Sequence, residues 1–332
     1  MDSEGLGRGA IERVAPIGGG TQNIMLRFER GGRCFVLRRG PKHLRPNTND
    51  VLRREIRVLG ALSGTEVAHP RLIAPCVDVD VLDGAVFYLM EPMDGFNASI
   101  GLPTRHTHDA GIRHRMGLEM VDALATLGQV DYLAAGLEDF GKPEGFLDRQ
   151  VTRWLSELES YAAFADYPGP GISHIDDIAD WLERNRPGDW APGILHGDFH
   201  IANVMFSHAG PEVEAIVDWE MCTIGDPLLD LGWMLATWPE PDGARDPIGS
   251  AIARAGGLPT PSELVARYAR RSDRDLSAVA WYTVLACFKL GIILEGTYAR
   301  SFAGKASRST GERLHASACE LFESARRRIV QA

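Results

Sequence analysis

Near the N-terminus, the alternation of apolar and polar residues is typical of short strands joined by tight turns. IMLRFER (24–30) and RCFVLRR (33–39) both alternate, and the Gly31-Gly32 pair between them predicts a hairpin turn. A second hairpin is predicted in VDVDVLDGAVFYLMEPM (77–93), around its Asp-Gly pair. This part of the chain is therefore predicted to form an antiparallel sheet.

One helix is predicted between the two hairpins. VLRREIRVLGAL (51–62) places apolar residues at near-helical intervals, and Asn49 or Asp50 is positioned to cap its N-terminus. Pro70 and Pro75 are then expected to break the chain before the second hairpin.

Beyond the second hairpin, apolar residues recur at intervals of three and four, as they do in amphipathic helices. The segments that show it are RHRMGLEMVDALATLGQV (113–130), GFLDRQVTRWLSELESYAAF (145–164), IDDIADWLERN (175–185) and WYTVLACFKLGIILEGTYAR (281–300). A short strand-like segment, EVEAIVDWE (212–220), lies among them. The pattern predicts a small β-rich lobe over residues 1–92 and a larger, mostly helical lobe over residues 93–332.

Composition indicates the general class of protein but does not identify its function. The chain has 332 residues, of which 45% are hydrophobic and 24% charged, so it is globular and long enough for two lobes. Its net charge of −10 argues against broad nucleic-acid binding, which needs a basic surface.

The expected location is the cytoplasm. The five cysteines form no C-x-x-C pair, which favours a reducing compartment. The N-terminus lacks an apolar signal segment, and the longest apolar stretch, TVLACFKLGIIL (283–294), contains Lys289 and is too short to span a bilayer. We therefore expect neither a membrane nor a nucleic-acid partner, and the oligomeric state is left open.

The clearest candidate chemistry lies in ILHGDFHIANVMF (194–206) and AIVDWEMCTIGDPLLDLGWML (215–235). Phosphoryl transfer needs a carboxylate near the accepting hydroxyl and oxygen ligands for Mg²⁺. Asp198 and Asn203 have the spacing of the base and the metal-binding asparagine of a kinase catalytic loop. Asp218 follows at the end of a predicted strand, and one amide with one carboxylate is enough for Mg²⁺ beside a nucleotide.

HGDFHIANV (196–204) resembles the catalytic loop of the aminoglycoside phosphotransferase and choline kinase-like family. IVDWE and GDPLLDLGWML resemble that family's metal-binding strand and the helix after it, and the nearest branch is the kinase-like domains associated with acyl-CoA dehydrogenases. The resemblance implies an α+β, bilobal protein-kinase-like fold, with a small N-terminal antiparallel β-sheet lobe that carries one helix and a larger, mostly helical C-terminal lobe.

The resemblance also implies roles for individual residues. Asp198 would be the base, and Asn203 and Asp218 would bind Mg²⁺. Asp230 would be a buried carboxylate that braces the catalytic loop, and His196 is expected to hydrogen-bond backbone groups there. ATP, or GTP, would be the phosphoryl donor, and the acceptor would be a small molecule with a hydroxyl group.

A nucleotide site is implied in the N-terminal lobe. It would comprise a glycine-rich loop, a cation, the acidic partner of that cation and a hinge between the lobes: Gly18, Gly19, Gly20, Thr21, Asn23, Arg38, Glu55, Glu91 and Met93. Glycine lets backbone N–H groups approach phosphate closely. The cation is an arginine where the family usually has lysine, and arginine binds phosphate with a different, bidentate geometry.

Two other functions remain open at this point. A nucleotide-binding regulator with weak catalysis is compatible with the missing lysine. A metal-dependent hydrolase could use the set His196, Asp198, His200 and Asp218, although this would leave the spacing to Asn203 unexplained. The acceptor pocket is also open, because its polar candidates are equally compatible with surface or packing roles: Glu220, Asp226, Glu295, Tyr298 and Arg300.

Overall fold

The computed structural model describes residues 1–2, 4–18, 23–239, 246 and 249–332. The strands of the N-terminal sheet are β1 Glu12–Pro16, β2 Ile24–Arg30, β3 Arg33–Arg39, β4 Leu72–Cys76 and β5 Phe87–Met90. They pair antiparallel in the order β1-β2-β3-β5-β4. The predicted hairpin between β2 and β3 is confirmed, and both glycines of its turn have positive φ angles.

The second predicted hairpin is only partly right. Its first strand, β4, lies before the expected segment, and residues 77–86 form the connection to β5. Pro75 does not break the chain, because it lies in β4 at the edge of the sheet, where a missing N–H is tolerated.

Helix α1, Thr48–Leu62, starts earlier than predicted and without the predicted cap. Asn47 occupies the N-cap position and makes no side-chain capping hydrogen bond. The Asn49 side chain instead donates to Gly84 O at 2.8 Å and accepts from Val86 N at 3.0 Å. These bonds connect the helix to the turn before β5. The Asn49 side chain is therefore used for a contact between distant segments and is not available to cap its own helix.

The rest of the chain is mostly helical, which confirms the predicted fold class. Its helices are α2 Thr104–His108, α3 Ala110–Gly128, α4 Gln150–Ser160, α5 Ile175–Arg184, α6 Leu228–Thr237, α7 Ala251–Ala255, α8 Pro261–Arg271, α9 Val279–Phe302 and α10 Arg308–Gln331. Its short strands are β6 Phe96–Asn97, β7 Gly193–Leu195, β8 Val204–Phe206, β9 Val213–Ile216 and β10 Thr223–Gly225. They form two small sheets, β6-β8-β9 and β7-β10.

Helix α9 is the central helix of this region and packs against α4, α5, α6 and α10. Its 24 residues are long and apolar enough to cross a membrane, so the length argument made from its sequence is wrong. However, 72% of its most apolar window is buried within the structure, and packing against four helices accounts for that apolar character.

Close packing of α6 on α9 depends on Gly232, and replacing it with alanine should destabilise the protein. An added Cβ would lie 2.5 Å from the backbone carbonyl of Tyr282 in α9. We expect a loss of about 1–3 kcal/mol in the free energy of unfolding, measured by urea denaturation. Gly60→Ala in α1 is the control: its Cβ would meet only ordinary contact at 3.9 Å, so it should be neutral or slightly stabilising. Equal effects of the two variants would contradict the packing argument.

Candidate active site

Two short strand pairs position the candidate catalytic residues. The loop that carries Asp198 runs from β7 to β8, and Asp218 follows β9. Because β8 and β9 pair antiparallel, the start of β8 lies beside the end of β9. A hydrogen bond from Val217 N to Asn203 O, 2.9 Å long, continues this pairing. The chain thereby brings Asn203 and Asp218 to the same end of the sheet.

Asp230, in α6, accepts hydrogen bonds from the first residues of this loop. Its Oδ2 accepts from His196 N at 2.6 Å and its Oδ1 accepts from Gly197 N at 2.8 Å. Burial raises the pKa of Asp230 to about 7, even though both backbone hydrogen bonds favour the ionised form. The carboxyl thus satisfies two buried backbone donors of the loop.

His196 links the loop to the strand that leads to Asp218. Its Nε2 lies 3.0 Å from Val217 O, and its Nδ1 accepts from Asp198 N at 3.3 Å. Complete burial lowers the pKa of His196, so the ring is neutral with its proton on Nε2. Since backbone groups occupy both ring nitrogens, neither can ligate a metal.

Contacts to both of its oxygens fix the orientation of the Asp198 carboxylate. Oδ1 accepts from Trp233 Nε1 at 3.0 Å and lies 3.3 Å from His200 Nε2, and Oδ2 accepts from Asn203 Nδ2 at 3.0 Å. Burial alone would raise the pKa of Asp198, but the contact with His200 and the nearby charge of Lys289 hold it below its usual value. The group is an ionised carboxylate with a fixed direction.

The side chains of Asn203 and Asp218 offer oxygens suited to Mg²⁺. The Asn203 Nδ2 also donates to Asp198 O at 2.9 Å, which leaves Oδ1 without a donor in the described part of the chain. The Asp218 side chain is 41% exposed. One amide oxygen beside one accessible carboxylate fits a hard cation that keeps several waters.

The alternative metal cluster of a hydrolase is not formed. Among residues 23–239 and the other described segments, no group of three or more His, Cys, Asp or Glu side chains could hold a metal ion. The engaged nitrogens of His196 explain this, and the hydrolase hypothesis loses its ligand set.

Arg38 on β3 joins the N-terminal sheet to the candidate metal ligand. Its guanidinium pairs with both oxygens of Glu55 in α1, at 3.0 and 2.7 Å, and also donates to Asp218 Oδ1 at 2.9 Å. Burial alone would lower the pKa of Arg38, but these carboxylates more than offset that effect and the net shift is upward. The guanidinium therefore stays protonated. Burial raises the pKa of Glu55, and Arg38 opposes that shift. The structure therefore brings the sequence-predicted cation and its acidic partner together.

The remaining nucleotide-site residues can be placed only in part. Gly19, Gly20 and Thr21 lie outside the described residues, between Gly18 and Asn23. At the expected hinge, the backbone N–H of Glu91 donates to Arg71 O at 2.9 Å. The backbone carbonyl of Glu91 is therefore the group that a ligand could contact. Met93 follows two residues later, and its backbone makes no hydrogen bond to another described residue.

Lys289, in α9, contacts the catalytic loop and was missed as a site residue in the sequence. Its Nζ donates to Gly197 O at 3.0 Å and lies 4.4 Å from the centroid of the Trp233 ring. Burial lowers the pKa of Lys289 to about 8, against the pull of the Asp230 and Asp198 carboxylates. The available signal was a lysine within the apolar stretch TVLACFKLGIIL (283–294), because such a buried charge needs polar partners.

A cavity of about 830 Å³ adjoins the catalytic loop at Gly197. Its lining comes from the middle of α1, the first half of α4, the chain before α4, the segment after Asp218, and single residues of β7, α6 and α9. The lining residues are Arg54, Asp139, Phe140, Gly141, Lys142, Phe146, Arg149, Gln150, Arg153, Trp154, Leu195, Gly197, Glu220, Met221, Cys222, Thr223, Leu229 and Lys289. This volume is typical of small-molecule sites.

Of the five polar candidates for an acceptor pocket, only Glu220 lines this cavity; Asp226, Glu295, Tyr298 and Arg300 do not. Glu220 also lines a smaller cavity of about 210 Å³ that Asn23 borders. Burial and the nearby Asp218 raise the pKa of Glu220 to about 6. Glu220 therefore borders both the small cavity beside Asn23 and the large cavity.

Known proteins are similar to this chain in sequence and in fold. Residues 13–282 match the phosphotransferase enzyme family. Acyl-CoA dehydrogenase family member 11 of Gallus gallus is 32% identical over 298 residues, which cover 87% of this chain and 37% of that protein. Member 10 of that dehydrogenase family from Mus musculus is 27% identical over 300 residues, which cover 88% of this chain and 27% of that protein. The chain thus spans less than two-fifths of the length of these relatives.

Solved structures agree with this match. A Ralstonia eutropha JMP134 protein assigned to the aminoglycoside phosphotransferases has a TM-score of 0.76 at 28% identity, over 97% of this chain and 95% of that chain. The GDP complex of aminoglycoside 2′-phosphotransferase-IIIa has a TM-score of 0.62 at 16% identity, over 94% of this chain and 93% of that chain. The second similarity shows the fold alone.

Proposed function

This chain belongs to the phosphotransferase enzyme family, and we propose that it is a Mg²⁺-dependent kinase that transfers the γ-phosphoryl group of ATP, or of GTP, to a hydroxyl group of a small molecule. Family membership confirms the resemblance drawn from the catalytic loop, and the similar solved structures confirm the kinase-like fold. The donor nucleotide, the metal and the acceptor are the parts we propose.

The observation that supports the proposal most directly is the meeting of a base and two oxygen ligands. Asn203 donates to the Asp198 carboxylate, and the backbone bond from Val217 to Asn203 fixes the segment that ends in Asp218. We propose that residues 1–92 hold the nucleotide and that residues 93–332 supply the catalytic loop and the acceptor site.

Asp198 acts as the general base in this proposal. Its ionised carboxylate accepts the proton of the acceptor hydroxyl while the new oxygen–phosphorus bond forms and the bond to the nucleoside diphosphate breaks. Trp233 and His200 keep the carboxylate pointed in one direction. Asn203 and Asp218 would hold the metal, and bound Mg²⁺ neutralises charge on the phosphates.

Arg38 binds the phosphates of the nucleotide in this proposal. It is fixed by Glu55, so its guanidinium is already oriented when a nucleotide binds. Backbone groups of Glu91 and Met93 would meet the base, and the glycine-rich loop of Gly18 to Asn23 would cover the phosphates.

A second function, a nucleotide-binding regulator with weak catalysis, is favoured by one observation. The arginine that replaces the usual lysine is engaged by Glu55 and Asp218 at once, so phosphate must compete for it. Such a regulator would bind nucleotide and transfer no phosphoryl group. A nucleotide-consumption screen over a broad library of hydroxyl compounds, with ATP and GTP compared, separates it from a kinase.

Replacing Asp218 with alanine should abolish Mg²⁺-dependent nucleotide binding. The change removes the only carboxylate among the two proposed metal ligands, and Asn203 alone holds Mg²⁺ poorly. Binding of ATP is measured by isothermal titration calorimetry with Mg²⁺ and with EDTA, and wild-type binding should depend strongly on the metal. Asp180→Ala removes an exposed carboxylate on α5 and serves as the control. Unchanged Mg²⁺-dependent binding in Asp218→Ala would contradict the proposed metal site.

A further inference from the structure

The large cavity beside the catalytic loop has an unusual balance of charge. Five of its lining side chains are cationic, and two, Asp139 and Glu220, are acidic. The cations are Arg54, Lys142, Arg149, Arg153 and Lys289. The whole chain has the opposite balance, with 45 acidic and 35 basic residues. The charge balance of this concave surface is therefore the reverse of that of the chain.

None of the five cations has a carboxylate partner within 4.0 Å in the part of the chain that the structure describes. Arg54 donates to Cys222 O at 3.0 Å, and Arg149 donates to the Lys142 backbone carbonyl at 2.5 Å. These contacts orient the guanidinium groups and leave their charge uncompensated. By contrast, Asp139 is paired with Arg57, which does not line the cavity.

Lys289 is the one buried cation among the five. It is 6% exposed. Among the described residues its only hydrogen bond is to Gly197 O, and no carboxylate there lies within 4.0 Å of its Nζ. The rings of Trp154 and Trp233 lie 5.5 and 4.4 Å from its Nζ. A buried charge without a close counter-ion is costly, and an anion in the cavity would supply that counter-ion.

The cavity is also placed to serve the proposed reaction. It adjoins the loop at Gly197, the residue before Asp198, and it borders Glu220, two residues after Asp218. Arg38, Asp198 and Asp218 themselves do not line it, so it is distinct from the proposed nucleotide site. A ligand in the cavity would approach the base from the side of α4 and α9.

We propose that this cavity binds the acceptor and that the acceptor is an anion: an alcohol that carries a phosphate or carboxylate group apart from the hydroxyl that is phosphorylated. This substrate class rests on the proposed kinase function. The anionic group lies among the arginine and lysine side chains, which bind such groups through charge-assisted hydrogen bonds. A polycationic acceptor would be repelled by the same field.

The test compares matched acceptors on wild-type protein and on two charge variants. The probes are glycerol 3-phosphate and glycerate, each against glycerol, with kanamycin as the cationic probe. Binding is followed by tryptophan fluorescence, since Trp154 lines the cavity, and phosphoryl transfer is followed with MgATP. K142Q/R153Q removes two exposed cavity cations, and R270Q/R327Q removes two exposed cations elsewhere.

Wild type should bind at least one anionic probe more tightly than glycerol, and K142Q/R153Q should weaken that binding about tenfold. The control variant should bind it as wild type does. The phosphate and carboxylate probes together identify which anionic group is preferred.

Several results would overturn the inference: no preference for either anion, equal losses in both variants, or tighter binding of kanamycin. Transfer to glycerol or kanamycin without an anion preference overturns it while the kinase function stands. A different result would support the anion site and contradict the kinase function: anion binding that depends on Lys142 and Arg153, with no phosphoryl transfer to any hydroxyl compound.

Discussion

Replacing Asp198 with alanine should lower kcat by about 10²–10⁴-fold, the usual contribution of a general base, while Mg²⁺-dependent nucleotide binding persists. Binding is expected to survive because Asn203 still donates to the backbone carbonyl of residue 198, at 2.9 Å, after the side chain is lost. Asp218 and Arg38 are untouched by the change. The measurement pairs a coupled assay of phosphoryl transfer with calorimetric binding of ATP.

The pH dependence of kcat/KM gives a second readout of the same residue. Because the pKa of Asp198 lies below its usual value, the base is deprotonated throughout the range from pH 5 to 8. Activity that depends on it should fall only when the pH drops through that lowered pKa. Asp198→Ala should remove this acid limb, and Asp180→Ala should retain both the limb and the rate. If transfer by Asp198→Ala were as fast as in wild type, the assignment of the base would be wrong.

Replacing Asp230 with alanine should cost about 3–5 kcal/mol of folding free energy, since each buried backbone donor left without an acceptor costs about 1–3 kcal/mol. The change leaves two buried backbone donors, His196 N and Gly197 N, without their acceptor. It also removes the nearby carboxylate that favours the charged form of Lys289. Urea denaturation measures the loss, and kcat should fall with it because the catalytic loop is no longer held.

The pH dependence of this loss has a defined sign. The pKa of Asp230 is raised to about 7 in the folded protein, so between about pH 4 and 7 the folded state binds more protons than the unfolded state. The contribution of this carboxyl to stability is therefore largest below about pH 4, declines as the pH rises from about 4 to 7, and is constant above that. Asp230→Ala should cost more stability at pH 5 than at pH 8.

Asp230→Asn and Lys289→Met, alone and combined, complete a double-mutant cycle. Asn retains one acceptor oxygen, so its loss should be smaller than that of alanine. The combined loss should be less than additive, because each single change disturbs the same buried group of charges. A cost below about 1 kcal/mol for Asp230→Ala would mean that the loop does not depend on this carboxyl.

The parts of this structure that could be predicted from the sequence are those encoded by short segments. The hairpin of β2 and β3 follows from alternation and two glycines, and the spacing of Asp198 and Asn203 lies within one loop. The pairing of Arg38 with Glu55 was implied by the family resemblance, and the two residues are 17 positions apart. In each case the two groups lie close together along the chain.

The features that were missed depend on contacts between distant segments. The β4 strand includes Pro75 because it is an edge strand, which the local sequence does not show. Asn49 was expected to cap its own helix and binds a turn 35 residues away instead. The charged cavity brings together residues near 54, 142–153 and 289, so its charge balance cannot be read from any one segment.

The ion pair of Arg38 with Asp218 has a consequence for the order of ligand binding. A free metal ion would have to displace a guanidinium from Asp218 and leave that cation facing the same site, which is unfavourable on charge grounds alone. A metal that arrives already bound to a triphosphate brings the new anionic partner for the arginine with it. The resting protein should therefore take up metal and nucleotide together, as one charge-balanced exchange of partners.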